Sequence, residues 1–453
     1  MVSFARTPSI VGRSPAPALG EHNNEALRQR RLQPATAAAY ASALPPHALH
    51  GVTVIEAAGN YAAPIGASLL ADLGARVIKI EPLEGDASRT NGAITLATQG
   101  KESLALDLKT DIGRQVLHDL VSRADIFVHN FRPGVPDRLG FTYERLCKFN
   151  PRIVYLYASG YGSTGPAALR PGYALTFGAI CGSALYQAGA GMPPTADADM
   201  NLDRIKEISL RLAKANDGAP DVSSGLVDGV AMMMGLYGRE RWGEGQYIET
   251  TMLCSTAYSA SIDFIRFPDK SAVAVPDEAL LGISALYRLY EAQDGWIFLA
   301  CLTDAEWTGL LIGVDHEQLA SDARFATARS RAEFDEDLGA LLVSLFRLRV
   351  ADEWESDLTR LGVACVAADR WRSHEFFNRH PQIDANEFAA EVEHDDFGMY
   401  RRYAPQVHLS KTPGLARPAS RLGQHTRQLL EELGHSASRV DELRSLGIVG
   451  SPD

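Results

Sequence analysis

Cysteine is scarce in this chain. Its five residues, Cys147, Cys181, Cys254, Cys301 and Cys365, are odd in number, far apart and form no CxxC pair. Neither a disulfide frame nor a metal site is expected; the thiols read as reduced, as in a cytoplasmic protein, and each as a small core residue. Long apolar runs are missing as well. None reaches the roughly 18 residues of a membrane span, so no membrane partner is expected. Positive charge is short: 44 Lys and Arg stand against 56 Asp and Glu, a net charge of -12. That balance argues against a general nucleic-acid partner, although a local basic patch can still hold an anionic small molecule. Two nucleotide signatures are absent. The first strand-to-helix turn, "AAGNYAAP", is not GxGxxG, and no P-loop sequence occurs.

What is present is ordinary globular material, 46% hydrophobic and 22% charged over 453 residues, enough for two or three domains. "GVTVIEAAG" reads as a buried strand from Gly51, and "APIGASLLADLGA" as a helix stopped by Gly74. "RVIKIEP", "ESLALDL", "DIFVHNF" and "PRIVYLYASGYG" continue as strands. They alternate with "KTDIGRQVLHDLVSRA" and "VPDRLGFTYERLCKFN", both read as helical. That alternation predicts an α/β fold with a mostly parallel, Rossmann-like sheet in a large domain. From about 285, "LYRLYEAQDGWIFLACL" reads as two strands joined by a Gln-Asp-Gly turn. "TDAEWTGLLIGV" follows as a helix with Thr303 as its cap, which makes 285–370 a small α+β domain. A polar insert with a charged helix precedes residue 220. A strand-like "EVEHDDFGMYRRYAPQVHL" and a closing helix from about 423 end the chain.

The expected boundaries are 46–255 for the first part of the large domain, 256–284 for a linker, 371–440 for its return segment and 441–453 for a tail. Residues 1–45 stand apart. They carry Arg6, Arg13, Arg28, Arg30 and Arg31 against Glu21 and Glu25, and no apolar secretory core follows the start. "ARTPSIVGRSPAPALGEHNNEAL" (5–27) echoes "SKTPGLARPASRLGQHTRQLLEEL" (410–433): a basic residue, Thr-Pro, a Pro-bearing stretch, then Leu-Gly-x-His. The N-terminus therefore reads as the tail of a preceding copy of the same domain, and the chain as the second half of a tandem fusion.

One carboxylate raises a question. In "PDVSSGLVDGVAMMMGLYGRERWGEG" (220–245), Asp221 stands before an apolar helical run. Asp is a favoured N-cap and suits the positive end of the helix dipole. The residues alone leave open whether Asp221 caps a helix or is placed for chemistry.

Five segments taken in order resemble the family III CoA-transferases, the CaiB/BaiF family. They are "GVTVIEAAGNYAAPIGASLLADLGARVIKIEPLEGDASR", "GKESLALDLKTDIGRQVLHDLVSRADIFVHNFRPGVPDRLG", "NPRIVYLYASGYGSTGP" with "RPGY", the 221–249 segment and the closing 410–434 segment. The resemblance implies that Asp221, followed four residues later by Gly225, is the nucleophile. It implies a covalent route in which an acyl-CoA gives a mixed anhydride and then an aspartyl-CoA thioester, which a carboxylic acid acceptor reverses. A CoA thioester is then a substrate, and no permanently bound cofactor is expected. The CoA and substrate contacts implied are Asn60, Tyr61 and Ala62; Leu106, Asp107, Leu108 and Lys109; Asn130, Phe131 and Arg132; Arg138; and Gly172 with Tyr173. Lys109, Arg132 and Arg138 are the charged members suited to phosphates.

The departures are informative. Ala174 stands where many members have Asp, and no glycine-rich run occurs between 255 and 290, which argues against oxalate or formate as substrate. The rivals are an α-methylacyl-CoA racemase of the same fold, disfavoured because Tyr173 replaces that branch's histidine, and a catalytically silent partner half. The resemblance also implies an interlocked dimer, a homodimer or a heterodimer with a homologous half.

Overall fold

The computed structural model describes residues 3–5, 18–21, 44–90, 94–190, 201–215, 219–450 and 452. Two compact units emerge, the first drawn from 1–174, 218–259 and 387–453, the second from 175–217 and 260–386. In chain order the strands are β1 (Ser3–Phe4), β2 (Thr53–Ala57), β3 (Arg76–Glu81), β4 (Glu102–Leu106), β5 (Ile126–His129), β6 (Val154–Ser159) and β7 (Tyr247–Thr251). Then come β8 (Gly282–Ser284), β9 (Tyr287–Glu291), β10 (Trp296–Ala300), β11 (Ala364–Ala367), β12 (Ala389–His394), β13 (Gly398–Tyr403) and β14 (Val449–Gly450).

The first unit is built on one eight-stranded sheet in the order β1-β7-β6-β5-β2-β3-β4-β14. β7 through β4 are parallel; only the two edge strands run antiparallel. The pleat sends alternate residues to opposite faces, and both faces are apolar. Ile55, Ile78, Leu104 and Phe127 meet Val116, Leu117 and Leu120 of helix α1 (Asp111–Val121) counted from that face. Val54, Val77, Val128 and Leu156 meet Ala63, Ala67 and Leu70 of the helix Ala62–Asp72 together with Ala231, Met232 and Leu236 of the helix α2 (Ala219–Trp242). A parallel sheet needs cover on both sides, and these helices supply it. The hairpin β12-β13 is separate.

Strands β2, β3 and β4 proceed to one side, and β5, β6 and β7 to the other. The order therefore reverses between β2 and β5, which pair directly. At such a switch point the connections diverge and leave a crevice beyond the strand ends.

The apolar strands conceal a charged ladder. Glu56 stands opposite Lys79 across β2 and β3, and Lys79 opposite Ser103 across β3 and β4. Lys79 Nζ donates to Glu56 at 2.8 Å and to the Ala58 carbonyl at 2.6 Å, and lies 3.1 Å from Asp86. Lys101 Nζ reaches the other Glu56 oxygen at 2.6 Å. Arg89 clasps Glu81, with 2.6 Å for each of its two bonds. Three acids thus meet three bases inside the unit. Burial is the largest influence on Lys101 and pulls its ammonium down to about 8, against the attraction of Glu56.

The second unit carries an antiparallel sheet in the order β11-β10-β9-β8. The Gln-Asp-Gly turn joins β9 to β10, Ala292 N–H donating to Gly295 O at 2.7 Å. Thr303 caps the helix Asp304–Gly313 in a capping box with Glu306. Tyr290, Ile297, Leu299, Trp307, Phe346 and Trp354 share its core. The charged helix of the insert runs Leu202–Ala215, while 191–200 and 216–218 lie outside the described residues.

Three local expectations change. The stretch 135–150 is two short helices, Val135–Leu139 and Tyr143–Leu146, parted by Gly140 at φ +78°. The presumed tail after 441 continues the helix Ala437–Ser445 and supplies β14. All five cysteines are free, but only Cys301 and Cys365 are buried. Most of the N-terminal echo at 5–27 lies outside the described residues, whereas Ser3–Phe4 pairs with β7.

Candidate active site

Six parallel strands deliver their ends to one rim of the sheet. β2 leaves through Gly59 and Asn60, whose φ of +62° is left-handed. Asn is among the few non-glycine residues that tolerate this region. Four bonds pin the segment. Lys79 holds Ala58 O, Asp86 Oδ1 accepts from Asn60 N–H at 3.2 Å, and the Asn130 side chain pairs with both Gly59 backbone groups at 3.0 and 2.8 Å. Tyr61 and Ala62 then open the helix Ala62–Asp72.

α2 crosses that helix through glycines. A Cβ on Gly225 would come within 2.7 Å of Ile65 Cγ2 and 2.8 Å of Ala62 O, and one on Gly66 within 2.9 Å of Gly225 O. Gly229 in turn faces Gly66 and Leu69. The contacts advance in the same direction on both helices, so the two N-termini share one end. Asp221, one turn before Gly225, therefore stands level with the residues just before Ala62, at the rim where β2 ends. The helix begins at Ala219, so Asp221 lies inside its first turn and is not its cap. The carboxyl is half-buried, and that burial raises its pKa to about 6. At pH 7 it is still roughly 90% ionised, since one pH unit is a factor of ten.

On the other face of the same rim lies a cleft of about 600 Å³. Its floor comes from the ends of β2, β3 and β4: Ala57, Ile80 and Leu106. Asp107, Leu108, Lys109, Phe131, Arg132 and Arg138 complete the predicted residues that line it. Lys109, Arg132 and Arg138 are exposed, so a basic patch stands on an acidic protein. Asp107 Oδ1 accepts from Lys109 N–H at 2.9 Å, and the Arg132 guanidinium donates to Leu169 O at 3.3 Å.

Sequence reasoning missed Arg114, which lines the cleft from the first turns of α1 and donates to Lys109 O at 2.8 Å. Its place just after "LDLK" was the available signal. Asn130 faces the Gly59 backbone and is not among the cleft-lining residues. Gly172 and Tyr173 lie outside the cleft, after β6, with Tyr173 66% exposed.

His129 supports the cleft from below. Its Nδ1 accepts from Phe131 N–H at 3.2 Å, so Nε2 carries the proton and donates to Tyr155 Oη at 2.8 Å; Tyr155 in turn donates to Phe141 O at 3.0 Å. Burial holds the imidazole pKa down near 3. The ring is a fixed neutral strut under the Phe131–Arg132 turn. Among the described residues no group of His, Cys, Asp and Glu could hold a metal ion, and no helix is long and apolar enough to cross a membrane.

Known proteins share this fold. A Brucella suis structure described as a CAIB/BAIF family protein superposes with a TM-score of 0.70 at 26% identity, covering 86% of this chain and 100% of that one. The succinyl-CoA–L-malate CoA-transferase beta subunit of Chloroflexus aurantiacus is 30% identical over 88% of this chain and 98% of its own length. The acetyl-CoA:oxalate CoA-transferase of Acetobacter aceti is 32% identical over 69% and 78%. The sequence model of CoA-transferase family III matches residues 49–426. The chain therefore belongs to CoA-transferase family III and is an enzyme that transfers CoA.

Proposed function

We propose that this enzyme moves CoA from an acyl-CoA donor to a carboxylic acid acceptor through covalent intermediates on Asp221. The observation that carries the reading is the level at which the Gly225 crossing holds Asp221: half-buried, at the rim that the basic cleft also borders. The nucleotide phosphates of CoA meet Lys109, Arg114, Arg132 and Arg138, where charge-assisted bonds are strongest. The pantetheine arm crosses the rim near Gly59 and Asn130, and the thioester reaches Asp221.

The chemistry wants a carboxylate. An Asp221 oxygen attacks the thioester carbonyl, the C–S bond breaks, and CoA leaves as thiolate from a mixed anhydride. The thiolate attacks Asp221 Cγ and expels the acyl group as a free carboxylate, which leaves an aspartyl-CoA thioester. The acceptor acid reverses both steps. Every intermediate stays activated, as near-isoergic exchange requires. A raised pKa makes the carboxylate a better nucleophile while it remains ionised at neutral pH.

The names of the relatives make succinyl-CoA and acetyl-CoA the first donors to try, and dicarboxylic acids the first acceptors. Assembly enters the reading too. Val222, Leu226, Val230 and Tyr237 form an exposed apolar stripe at helical spacing along α2, starting beside Asp221. A second copy, or a homologous half, covers that stripe; this keeps both the homodimer and the heterodimer in view.

The test is intact-protein mass spectrometry after incubation with these donors, with hydroxylamine trapping and an Asp221→Ala control. An acyl- or CoA-sized adduct on Asp221, absent from the variant, is the expected result. A wild-type protein that turns over donor and acceptor without any such adduct would sink the covalent route.

A further inference from the structure

Three residues after Asp221, on the buried face of α2, stands Ser224. It is 3% exposed, and its hydroxyl has no hydrogen-bond partner among the described residues. The same face shows what a satisfied group looks like here: Asp228, one turn on, accepts from Thr250 Oγ1 at 2.5 Å. Ser223, beside it, reaches back to Pro220 O at 3.2 Å, so this turn offers carbonyls to a serine. Ser224 uses none. An unpaired buried hydroxyl costs about 1–3 kcal/mol, and alanine would avoid that penalty. A native protein that keeps such a group calls for an explanation.

The neighbourhood supplies one. Side chains three apart on a helix are neighbours, with Cβ atoms roughly 5–6 Å apart. At that spacing the Ser224 hydroxyl and the Asp221 carboxyl are neighbouring groups on the first turns of α2. We propose that Ser224 is a catalytic residue: its O–H donates to the aspartyl carbonyl oxygen while CoA thiolate adds to Asp221 Cγ.

The step balances without a proton transfer. The thiolate sulfur forms a bond to Cγ, the Cγ=O electrons move onto that oxygen, and the Ser224 O–H binds the oxyanion. When the carbonyl re-forms, the C–O bond to the departing acyl group breaks and a carboxylate leaves. The hydroxyl keeps its proton throughout. A donor left free in the resting enzyme and engaged only as negative charge develops favours the transition state over the ground state.

This inference rests on the covalent reading above, and the experiment separates the two. Turnover of succinyl-CoA and acetyl-CoA with dicarboxylic acids would be measured for wild type, Ser224→Ala and Ser224→Thr, alongside thermal unfolding and the Asp221 adduct. Ser224→Ala should lower kcat roughly 100-fold, the effect of losing one oxyanion donor. KM should stay within about twofold, and the unfolding midpoint should not fall, because a buried unpaired hydroxyl has been removed. Ser224→Thr, which keeps the O–H, should restore much of the rate. Wild-type kcat in the alanine variant would overturn the proposal, and so would a lowered midpoint, the mark of a structural hydrogen bond. Absence of any adduct in active wild-type protein would instead overturn the covalent reading, and Ser224's role with it.

Discussion

Asn130 and Gly59 exchange two hydrogen bonds across the switch point of the sheet: Gly59 N–H donates to Asn130 Oδ1 at 3.0 Å, and Asn130 Nδ2 donates to Gly59 O at 2.8 Å. One side chain thereby ties the turn after β5 to the turn after β2. Asn130→Ala should raise the KM for the acyl-CoA donor by up to about 30-fold, since two neutral bonds of about 1 kcal/mol each are lost. Asn130→Asp, which keeps the acceptor but sets a carboxylate against the Gly59 carbonyl, should be worse. Steady-state kinetics decide; unchanged KM in both variants would mean the turn stands without this tie.

On the proposed covalent route, Asp221 sets the acid limb of activity. Burial raises its pKa to about 6, and that route needs the ionised form as the attacking one. As pH falls below about 6, kcat/KM should drop tenfold per unit. The stability sign is opposite. A carboxyl whose folded pKa is raised above the unfolded value near 3.9 favours the folded state while protonated, so this contribution is lost as pH rises from about 4 through 6. A pH profile flat from 7 to 5 would remove Asp221 from the rate-determining chemistry.

Gly225 has no room for a methyl group. Its added Cβ would fall 2.7 Å from Ile65 Cγ2 and 2.8 Å from the Ala62 carbonyl, which is backbone and cannot swing away. Gly225→Ala should destabilise the protein by about 1–3 kcal/mol, the range for overpacking. Displacement of α2 also moves Asp221, so activity should fall by more than the folded fraction accounts for. Denaturant unfolding and specific activity on the same sample test both halves.

The Glu56–Lys79–Lys101 cluster holds β2 to β3 from within. Lys79→Met strips one of two charge partners from the fully buried Glu56, which keeps Lys101, and the ammonium from the buried Asp86, and loss of one member of a buried pair costs about 3–5 kcal/mol. Urea unfolding should show that loss directly. A midpoint within error of wild type would mean that the freed acids take up protons at little penalty.

The strands carrying these residues were legible because "TVIEA", "RVIKIE" and "IFVH" are apolar runs bounded by glycine, proline or a polar turn. The Thr303 cap and the Gln-Asp-Gly turn are local signals and read equally well. The start of α2 misled: aspartate before an apolar run suggests a cap, yet Ala219-Pro220 ahead of it already belongs to the helix, and proline favours a first turn. The Gly66–Gly225 crossing, the Asn130–Gly59 exchange and the unpaired Ser224 join or isolate residues by packing between distant parts of the chain, which no local pattern encodes. β14 is two residues long, too short to show any periodicity.

The interruption of the first unit bears on how the chain is made. Its β2 through β7 are complete by Thr251, but β14, which covers the open side of β4, is only written at Val449 after the whole second unit has emerged. Chains grow at roughly 5–20 residues per second, so that edge waits on the order of tens of seconds for its partner. Arrested nascent chains ending before residue 449 should be cleaved by a protease along β4 and full-length chains should not; equal protection would show the edge closed by other means. An unpaired edge strand is a template for pairing with another chain. For this protein the hazard therefore falls in the interval of its own synthesis and ends when the last two-residue strand arrives.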